Sequence, residues 1–387
     1  MKIVRFETFL ANAGLRNYLF IRLTTDNGLS GVGEATLEWQ EKTVQTLCHE
    51  WVEGRVLGRD PFDIEAIIGG MIRDQYQGGA TVMTAISGVE IALWDILGKA
   101  CGQPVYRLLG GQAHHRLPAY ANGWYGGART PPDYAERARA VCQRGYRALK
   151  FDPLGVAWKE LSTDETEAAV ERVAAVREAV GPGVAMMIEF HGRLSAGCAV
   201  RTIRLLERFQ PAWCEEPVAP ESLELLDWVK RQVKVLIAAG ERLYTLADFN
   251  RLCSLRAADV VQMDIAHCGG LSSAKKIAAM AAVNDLRISP HCSIGPVALA
   301  ACLHFDYSTP HFMIQEAFAE FDVPWRNSLV GGWNPIKNGE FILSDQPGLG
   351  IEIDEQAIAD HPFVKNAFPS LWDGEWLANF TQDNPDN

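Results

Sequence analysis

The sequence predicts an α/β protein, a modified TIM-type (β/α) barrel that follows a smaller N-terminal α+β domain. Six acidic or histidine residues recur at near-equal intervals, each at the end of a short apolar run. The first residues, up to about position 113, do not follow this rhythm. A strand, a helix and two loops occupy about 25 residues, and a barrel is the simplest fold that repeats this unit.

Residues 1–113 are expected to form the α+β domain. KIVRFETFLA and NYLFIRLTTD alternate apolar and polar residues, as antiparallel strands do, and DNGLSGVGEA adds a turn and a third short strand. Helical spacing follows in EKTVQTLCHEWVEG, in a segment that begins near Pro61, and in a long, mostly buried helix that ends at Gly102. Strands followed by helices are typical of the α+β class.

Residues 114–320 alternate strand-like and helix-like segments. Eight apolar runs are candidate strands: RLPAYANG, YRALKFD, VAMMIEF, AWCEE, VLIAAGE, DVVQMD, LRISPH and HFMIQE. Eight parallel strands close a barrel of this type. Residues 321–387 leave the pattern, and we expect them to return as loops and short strands that cover the N-terminal domain.

Composition excludes several classes of partner. The net charge is −12, with 48 acidic and 36 basic residues and no basic run, so we expect no nucleic acid and no membrane partner. The nine cysteines include no CxxC pair, which argues against a disulfide framework or a thiolate zinc site. No run of about 18 apolar residues is present. These features predict a cytoplasmic protein.

Six residues at the ends of predicted strands form what we call the strand-end series: Glu189, Glu215, Glu241, Asp264, His291 and Glu316, at intervals of 26, 26, 23, 27 and 25 residues. Because the carboxyl ends of barrel strands meet at one mouth, their side chains are expected to converge. Helix capping could explain single members of the series as bland acidic residues, but not the whole series.

The three glutamates of the series, Glu189, Glu215 and Glu241, are candidate ligands of Mg²⁺. Carboxylate oxygens suit a hard cation, and three clustered carboxylates would repel one another without one. Glu216 follows Glu215 but is expected to point the other way along its strand. It is therefore a candidate for a supporting role.

Two histidines are candidates for proton transfer. His291 is the best candidate for a general base, because Asp264 at the preceding strand end can orient its ring. His191 lies two residues after Glu189 and is a candidate general acid at the same mouth. For each histidine, a structural role is the alternative.

Two further residues are candidates for stabilising a developing negative charge. Lys150 ends the second strand and can place positive charge near an anionic oxygen. Glu316, at the eighth strand, can hydrogen-bond the same oxygen if it carries a proton, or act as a structural acceptor. Trp124 and Tyr125, after the first strand, are candidates for lining the pocket or for core packing.

With these residues in place, the sequence resembles the mandelate racemase branch of the enolase superfamily, and within it the D-galactonate dehydratases. The resemblance covers nearly the whole chain. Its motifs include QGGATVMTAISGVEIALWDILGK, EFHGR, EEPV, AAGER, QMDIAHCGG, SPHCSIGPVALAACLHFD and PGLGIEID. It implies an N-terminal domain that caps the barrel mouth, and a small-molecule sugar acid as substrate. The implied reaction removes water from an aldonate to give a 2-keto-3-deoxy acid.

The resemblance also implies roles for single residues. His291 with Asp264 would remove the proton α to the carboxylate, His191 would assist loss of the 3-hydroxyl, and Glu316 would contact the substrate. Glu189 and the other two glutamates of the series would bind Mg²⁺, which would bind the substrate carboxylate and stabilise the enediolate. A homo-oligomer is expected because members of this family commonly assemble.

The chain departs from the family pattern at two positions. The first metal ligand is usually an aspartate, whereas this chain has Glu189, whose extra methylene moves the carboxylate. Racemases of the branch carry Lys-x-Lys on the second strand, and the corresponding segment of this chain is Lys150-Phe151-Asp152. The absent second lysine disfavours a two-base racemase and favours dehydration.

Two alternatives remain open from the sequence. An isomerase or cycloisomerase could use the same α-proton abstraction without needing an acid at His191. A non-catalytic barrel could bind sugar acids without chemistry, although the presence of both His291 and Asp264 argues against it. The resemblance places two loops, Ala11 to Asn17 and Tyr76 to Ala80, at the far end of the substrate.

Overall fold

The computed structural model describes residues 1–365, and it confirms the predicted fold class. Three N-terminal strands form an antiparallel sheet: β1 (Ile3–Ala13), β2 (Arg16–Thr25) and β3 (Ser30–Glu34). The predicted turn at Gly28 joins β2 to β3, where Thr25 N–H donates to the Leu29 carbonyl oxygen.

Helices follow the sheet: α1 (Glu41–Leu47), a π-helical turn (Cys48–Val52), α2 (Glu53–Val56), α3 (Ile64–Asp74), α4 (Ala80–Cys101) and α5 (Val105–Leu108). Helix α4 packs directly against β3, because a Cβ at Gly33 would lie 1.9 Å from the Gly88 carbonyl oxygen. By length and composition α4 is the one helix in residues 1–365 that could cross a membrane, but 72% of its most apolar window is buried inside the protein. It is placed as a core helix.

Eight parallel strands alternate with helices in the barrel: β4 (Leu117–Ala121), α6 (Pro131–Gln143), β5 (Ala148–Phe151), α7 (Thr163–Val180), β6 (Ala185–Glu189), α8 (Ala196–Leu206), β7 (Trp213–Glu215), α9 (Leu223–Gln232), β8 (Ile237–Ala239), α10 (Leu246–Leu255), β9 (Val260–Val261), α11 (Gly270–Val283), β10 (Arg287–Ile288), α12 (Pro296–Tyr307) and β11 (Gln315–Ala317). The barrel closes where β11 pairs with β4 and Met313 N–H donates to the Ile288 carbonyl oxygen at 2.8 Å.

The barrel interior holds an apolar layer below the mouth. Tyr120, Met187 and Trp213 are among its buried members. Because side chains alternate along a strand, the residues two positions after Met187 and Trp213 also face inward, one layer closer to the mouth. These residues are Glu189 and Glu215, which are direct register partners on β6 and β7.

Beyond the barrel, the chain forms short elements: β12 (Ile336–Lys337), β13 (Glu340–Phe341) and α13 (Glu355–Asp360). The chain then runs along the N-terminal sheet, where Asn12 N–H donates to the His361 carbonyl oxygen at 2.8 Å and Asn17 exchanges two hydrogen bonds with Val364. The boundaries at 113 and 320 stay predictions. Of the predicted C-terminal segment, residues 366–387 lie outside the described residues.

Two buried carboxylates hold the N-terminal domain against the barrel. Glu34 accepts hydrogen bonds from backbone N–H groups at the start of α12, including Val297 and Ala298 at 3.1 and 2.9 Å. Glu90 on α4 accepts from Leu271 and Ser272 at the start of α11, at 2.7 and 2.8 Å. Helix N-termini favour negative charge, so each contact both satisfies backbone groups and fixes the domain over the barrel.

Candidate active site

The three glutamates of the strand-end series converge at the barrel mouth. One ligand oxygen from each of Glu189, Glu215 and Glu241 lies within 4.8 Å of the others. Glu189 and Glu215 are buried, and the Glu241 side chain is 14% exposed. Trp213 Nε1–H donates to Glu215 Oε2 at 2.9 Å, which fixes that carboxylate from below.

Lys150 provides positive charge beside this group. Its Nζ contacts the Glu215 carboxylate and lies 3.2 Å from Glu189 Oε2 and 3.1 Å from Glu316 Oε1. Burial alone would lower the pKa of Lys150, but the charges of Glu215, Glu316 and Glu189 raise it well above its ordinary value. Lys150 therefore stays an ammonium ion.

The oxygen donors fit a hard divalent cation. Carboxylate oxygens are ligands that Mg²⁺ prefers, and the three glutamates present one each within 4.8 Å of the others. Burial and the charge of Glu189 raise the pKa of Glu215 well above its ordinary value, because ionised carboxylates repel each other there. The single charge of Lys150 does not balance this group, and a bound cation would.

His291 faces the mouth with its ring held by an aspartate. Its Nδ1 lies 2.8 Å from Asp264 Oδ2, and its Nε2 lies 3.7 Å from Glu241 Oε2 and 3.9 Å from Glu316 Oε2. Burial alone would lower the pKa of His291, but the charges of Glu241, Glu316 and Asp264 raise it well above its ordinary value. Asp264 is fixed in turn by the Ala266 N–H, 2.8 Å from its other oxygen.

His191 is held in the same way at another strand end. Its Nδ1 lies 2.8 Å from Asp152 Oδ2, and the buried guanidinium of Arg193 contacts the same carboxylate. Burial alone would raise the pKa of Asp152, but Arg193 and His191 hold it below its ordinary value. The backbone N–H of His191 donates to Glu189 Oε1 at 2.7 Å. Its φ of +48° is a left-handed conformation that costs roughly 1 kcal/mol.

The other two predicted residues lie at the edge of this group. Glu316 is fully buried and accepts hydrogen bonds from Asn122 Nδ2 at 2.7 Å and from the Cys292 N–H at 2.8 Å. Glu216, just after β7, pairs with Arg242 at 2.5 Å and is not part of the cluster of three ligand oxygens. The structure thus brings together every predicted site residue, and their chemical roles stay proposals.

A cavity of about 830 Å³ opens above these groups. Lys150, Glu189, Glu241 and both histidines line its floor, whereas Glu215, Asp264 and Glu316 stand behind them. Residues from the N-terminal domain and from the segment after β11 form the wall. The cavity is therefore enclosed jointly by the barrel, the N-terminal domain and the following segment.

The wall carries an ion-paired arginine. Arg16 contacts the Glu38 carboxylate, lies 3.8 Å from Asp322 Oδ2 and stacks over the Phe318 ring, with its Cζ 4.7 Å from the ring centre. Asp322 also accepts a hydrogen bond from the Tyr18 hydroxyl. Asp322 also lies 3.5 Å from Arg326 Nε, so Arg16 and Asp322 each have more than one charged partner.

Only part of the predicted lining agrees with the cavity. Tyr125 lines it, and so do residues of the β1–β2 turn. The segment from Tyr76 to Ala80 does not, and Tyr76 is 96% exposed. Trp124 is instead buried in the core, where its ring packs against Phe151 on β5. Its Nε1–H donates to the Lys150 carbonyl oxygen at 2.8 Å.

Comparison with known families decides the membership of the chain. A model of the mandelate racemase / muconate lactonizing enzyme N-terminal domain matches residues 6–110, and an enolase C-terminal domain-like model matches residues 133–357. The chain belongs to the mandelate racemase branch of the enolase superfamily. The family predicted from the motifs is therefore confirmed.

Several known proteins are similar to this chain over most of its length. A D-gluconate/D-galactonate dehydratase from Picrophilus torridus is 38% identical over 87% of this chain and 86% of its own. A D-galactonate dehydratase from Verminephrobacter eiseniae is 38% identical over 93% of this chain and 94% of its own. The crystal structure of a mandelate racemase/muconate lactonizing enzyme from Sulfitobacter has a TM-score of 0.88, with 31% identity over 95% and 96% of the chains.

Sequence reasoning missed several residues of this site. In the sequence, Asp152 stands out only as the residue that replaces a second lysine, although it ends a predicted strand as the members of the strand-end series do. Asn122 follows the first strand in the same manner. Arg16 and Asp322 carry no comparable signal, since they lie 306 positions apart and meet only through the fold.

Proposed function

We propose that this enolase superfamily member is a Mg²⁺-dependent dehydratase of a D-galactonate-like aldonate. It removes the proton α to the carboxylate, passes through an enediolate and loses the 3-hydroxyl as water, which gives a 2-keto-3-deoxy acid. The observation that carries the proposal is the placement of two histidines, His291 after β10 and His191 after β6. These strands are four apart in an eight-stranded barrel, so the two rings approach the cavity from opposite sides.

The predicted enzyme class, a sugar-acid dehydratase and thus a carbon–oxygen lyase, is confirmed by relatives that match at 36 to 38% identity over most of the chain. Elimination of water needs a base at one carbon and an acid at the next oxygen. A barrel that only binds sugar acids needs neither, and an isomerase needs no acid for a leaving hydroxyl.

His291 serves as the base in this proposal. Asp264 holds the Nδ1–H of its ring, so that Nε2 is the atom that accepts the α-proton of the substrate. A cation held by the glutamates would offset the charge of Glu241, which otherwise raises the pKa of the ring, and would leave Nε2 unprotonated. The same aspartate stabilises the imidazolium that results. Lys150 offers an ammonium group near the substrate carboxylate, where negative charge grows as the proton leaves.

His191 serves as the acid. Its Nε2–H gives a proton to the 3-hydroxyl oxygen as the carbon–oxygen bond breaks, so the leaving group departs as water. The enol that remains tautomerises: carbon 3 gains a proton and the hydroxyl at carbon 2 loses one, which gives the keto acid. Atoms balance, since one hydrogen from carbon 2 and one hydroxyl from carbon 3 leave as a single water molecule.

Glu189, Glu215 and Glu241 would hold the metal ion. When bound there, Mg²⁺ supplies a Lewis acid that neutralises charge on the substrate carboxylate. The oxygen-only donors favour Mg²⁺ over thiophilic metals. Glu189 keeps this role despite its additional methylene, because its carboxylate lies within the same cluster as the other two.

The wall favours a monoacid with a neutral tail. Arg16 is already paired with Glu38 and Asp322, and Arg242, which also lines the cavity, is paired with Glu216. A second substrate carboxylate would have to compete with these carboxylates for either guanidinium. Hydroxyl groups, in contrast, can donate to these carboxylates. An aldonate therefore fits this wall better than an aldarate. We also expect the enzyme to be cytoplasmic and homo-oligomeric.

A substrate screen tests the proposal. Purified protein with Mg²⁺ is incubated with a library of aldonates and aldarates, and 2-keto-3-deoxy acids are detected with semicarbazide. We expect product from galactonate or a close stereoisomer, lost on chelation and restored by added Mg²⁺. The proposal fails if no sugar acid in the library gives product while calorimetry shows that Mg²⁺ does not bind.

A further inference from the structure

Two histidine–aspartate pairs of the same geometry stand at the barrel mouth. In each pair, Nδ1 of the histidine lies 2.8 Å from an aspartate oxygen. Asp264 and His291 follow adjacent strands β9 and β10, and Asp152 and His191 follow adjacent strands β5 and β6. The second pair is thus built like the first, although the sequence assigns only the first an orienting aspartate.

Asp152 is itself fixed before it meets the histidine. The Leu154 N–H donates to its Oδ1 at 2.8 Å, and the Arg193 guanidinium contacts its Oδ2. Arg193 is fully buried and donates to the carbonyl oxygens of Gly155 at 2.8 Å and Ala157 at 3.3 Å. A carboxylate held by two groups, one of them a buried arginine, can set the direction of a ring, which a mobile surface carboxylate cannot do.

The His191 ring needs such a partner because the backbone conformation of the residue does not by itself fix the orientation of the ring. The residue has a left-handed φ of +48°, and its N–H is held by Glu189 Oε1 at 2.7 Å. The backbone contact fixes where the side chain begins, and the contact with Asp152 fixes where the ring points. Strained conformations of this kind persist only where surrounding contacts determine them.

We propose that Asp152 is a positioning residue for His191. It holds the Nδ1–H of the ring so that Nε2–H points at the leaving hydroxyl, and Arg193 holds Asp152 in place. The inference rests on the proposed function, since it assigns His191 the acid step. In that step the proton moves from His191 Nε2 to the 3-hydroxyl oxygen while Asp152 keeps its carboxylate throughout.

The test compares two reactions of one enzyme, deuterium exchange at carbon 2 of the aldonate in D₂O and formation of the keto acid. Asp152→Asn removes the charge that fixes His191 but leaves His291 and Asp264 intact. We expect keto acid formation to fall about a hundredfold while exchange continues, so that the ratio of exchange to product rises. A merely structural role would lower both reactions together.

A double variant separates an effect through His191 from any other effect. If Asp152 acts through the histidine, Asp152→Asn causes almost no further loss in a protein that already carries His191→Asn. Additive losses in the double variant contradict the proposal, and so does an Asp152→Asn enzyme that still forms keto acid at the rate of the unchanged protein.

Because Asp152 pairs with the buried Arg193, a second variant should keep the negative charge so that Arg193 retains its partner. Asp152→Glu retains the ion pair but displaces the carboxylate, and we expect it to fold as the unchanged protein does, to keep exchange and to lose part of its product formation. Equal product formation in Asp152→Glu and the unchanged protein counts against positioning. Failure of the proposed function is distinguishable, because the unchanged protein would then form no keto acid.

Discussion

The floor and the wall of the cavity differ in how the chain builds them. The floor consists of strand-end side chains such as Glu241 and His291, which come from successive units of one repeating fold. The wall joins Arg16 from the start of β2 with Asp322 from the segment after β11. The floor is therefore set by barrel topology, whereas the wall can change its residues without moving the floor. We infer that the floor determines the reaction and the wall selects the substrate.

The largest expected effect comes from weakening the metal site in the floor. Glu241→Gln removes one carboxylate charge from a side chain that is partly exposed, so the fold should tolerate it. We expect Mg²⁺ affinity to fall roughly a hundredfold, because ligand charge sets the affinity of such sites. Calorimetric titration with Mg²⁺ measures the change, and an unaltered affinity would remove Glu241 from the ligand set.

The next effect concerns the attachment of the wall domain to the barrel. Glu34→Gln replaces the carboxylate that accepts backbone N–H groups at the start of α12. We expect a loss of about 2 kcal/mol in the free energy of unfolding, because hydrogen bonds to a charged, buried acceptor are lost. Denaturant unfolding measures it.

The matched control for this variant is Glu352→Gln. This carboxylate is 62% exposed and pairs with Lys99 at the surface, so its loss should change stability by less than about 1 kcal/mol. Equal losses in the two variants would mean that Glu34 does not fix the domains together.

The smallest expected effect is a change of substrate preference at the wall. Glu38→Gln leaves Arg16 with one fewer balancing carboxylate, which should favour a substrate with a second carboxylate. We expect the ratio of kcat/KM for an aldarate to that for the aldonate to rise about tenfold, a difference of about 1.4 kcal/mol.

Glu224→Gln provides the control for the wall variant. Glu224 pairs with Arg251 on the outside of the barrel and does not line the cavity, so the preference should stay unchanged. A Glu38→Gln enzyme with the preference of the unchanged protein would show that the wall charge does not select the substrate.

The same contrast explains what the sequence could predict. Eight apolar runs predict the eight strands, and the spacing of the strand-end series predicts their common mouth, because every barrel unit repeats one geometry. The floor residues Glu189, Glu241 and His291 follow from that period. The start of α3 was less predictable: Pro61 indicated the beginning, but the helix starts at Ile64, after Asp63. Local signals define an element better than its ends.

Contacts between segments that are far apart in the sequence have no comparable spacing pattern from which they could be predicted. Arg16 and Asp322 meet because the segment after β11 returns to the N-terminal sheet, and a period within the barrel does not describe that return. Glu34 and Glu90 likewise cap helices of the other domain. Asp152 lay between these cases, because it ends a predicted strand and could have been counted with the floor.

The measurement that tests the central claim most directly follows carbon 2 of the aldonate in D₂O with Mg²⁺ present. The account predicts that His291→Asn stops both deuterium exchange and keto acid formation. It predicts that His191→Asn continues to exchange while forming keto acid at least about a hundredfold more slowly. Exchange that survives in His291→Asn, or keto acid formation at an unchanged rate in His191→Asn, would contradict the assignment of base and acid to opposite sides of the floor.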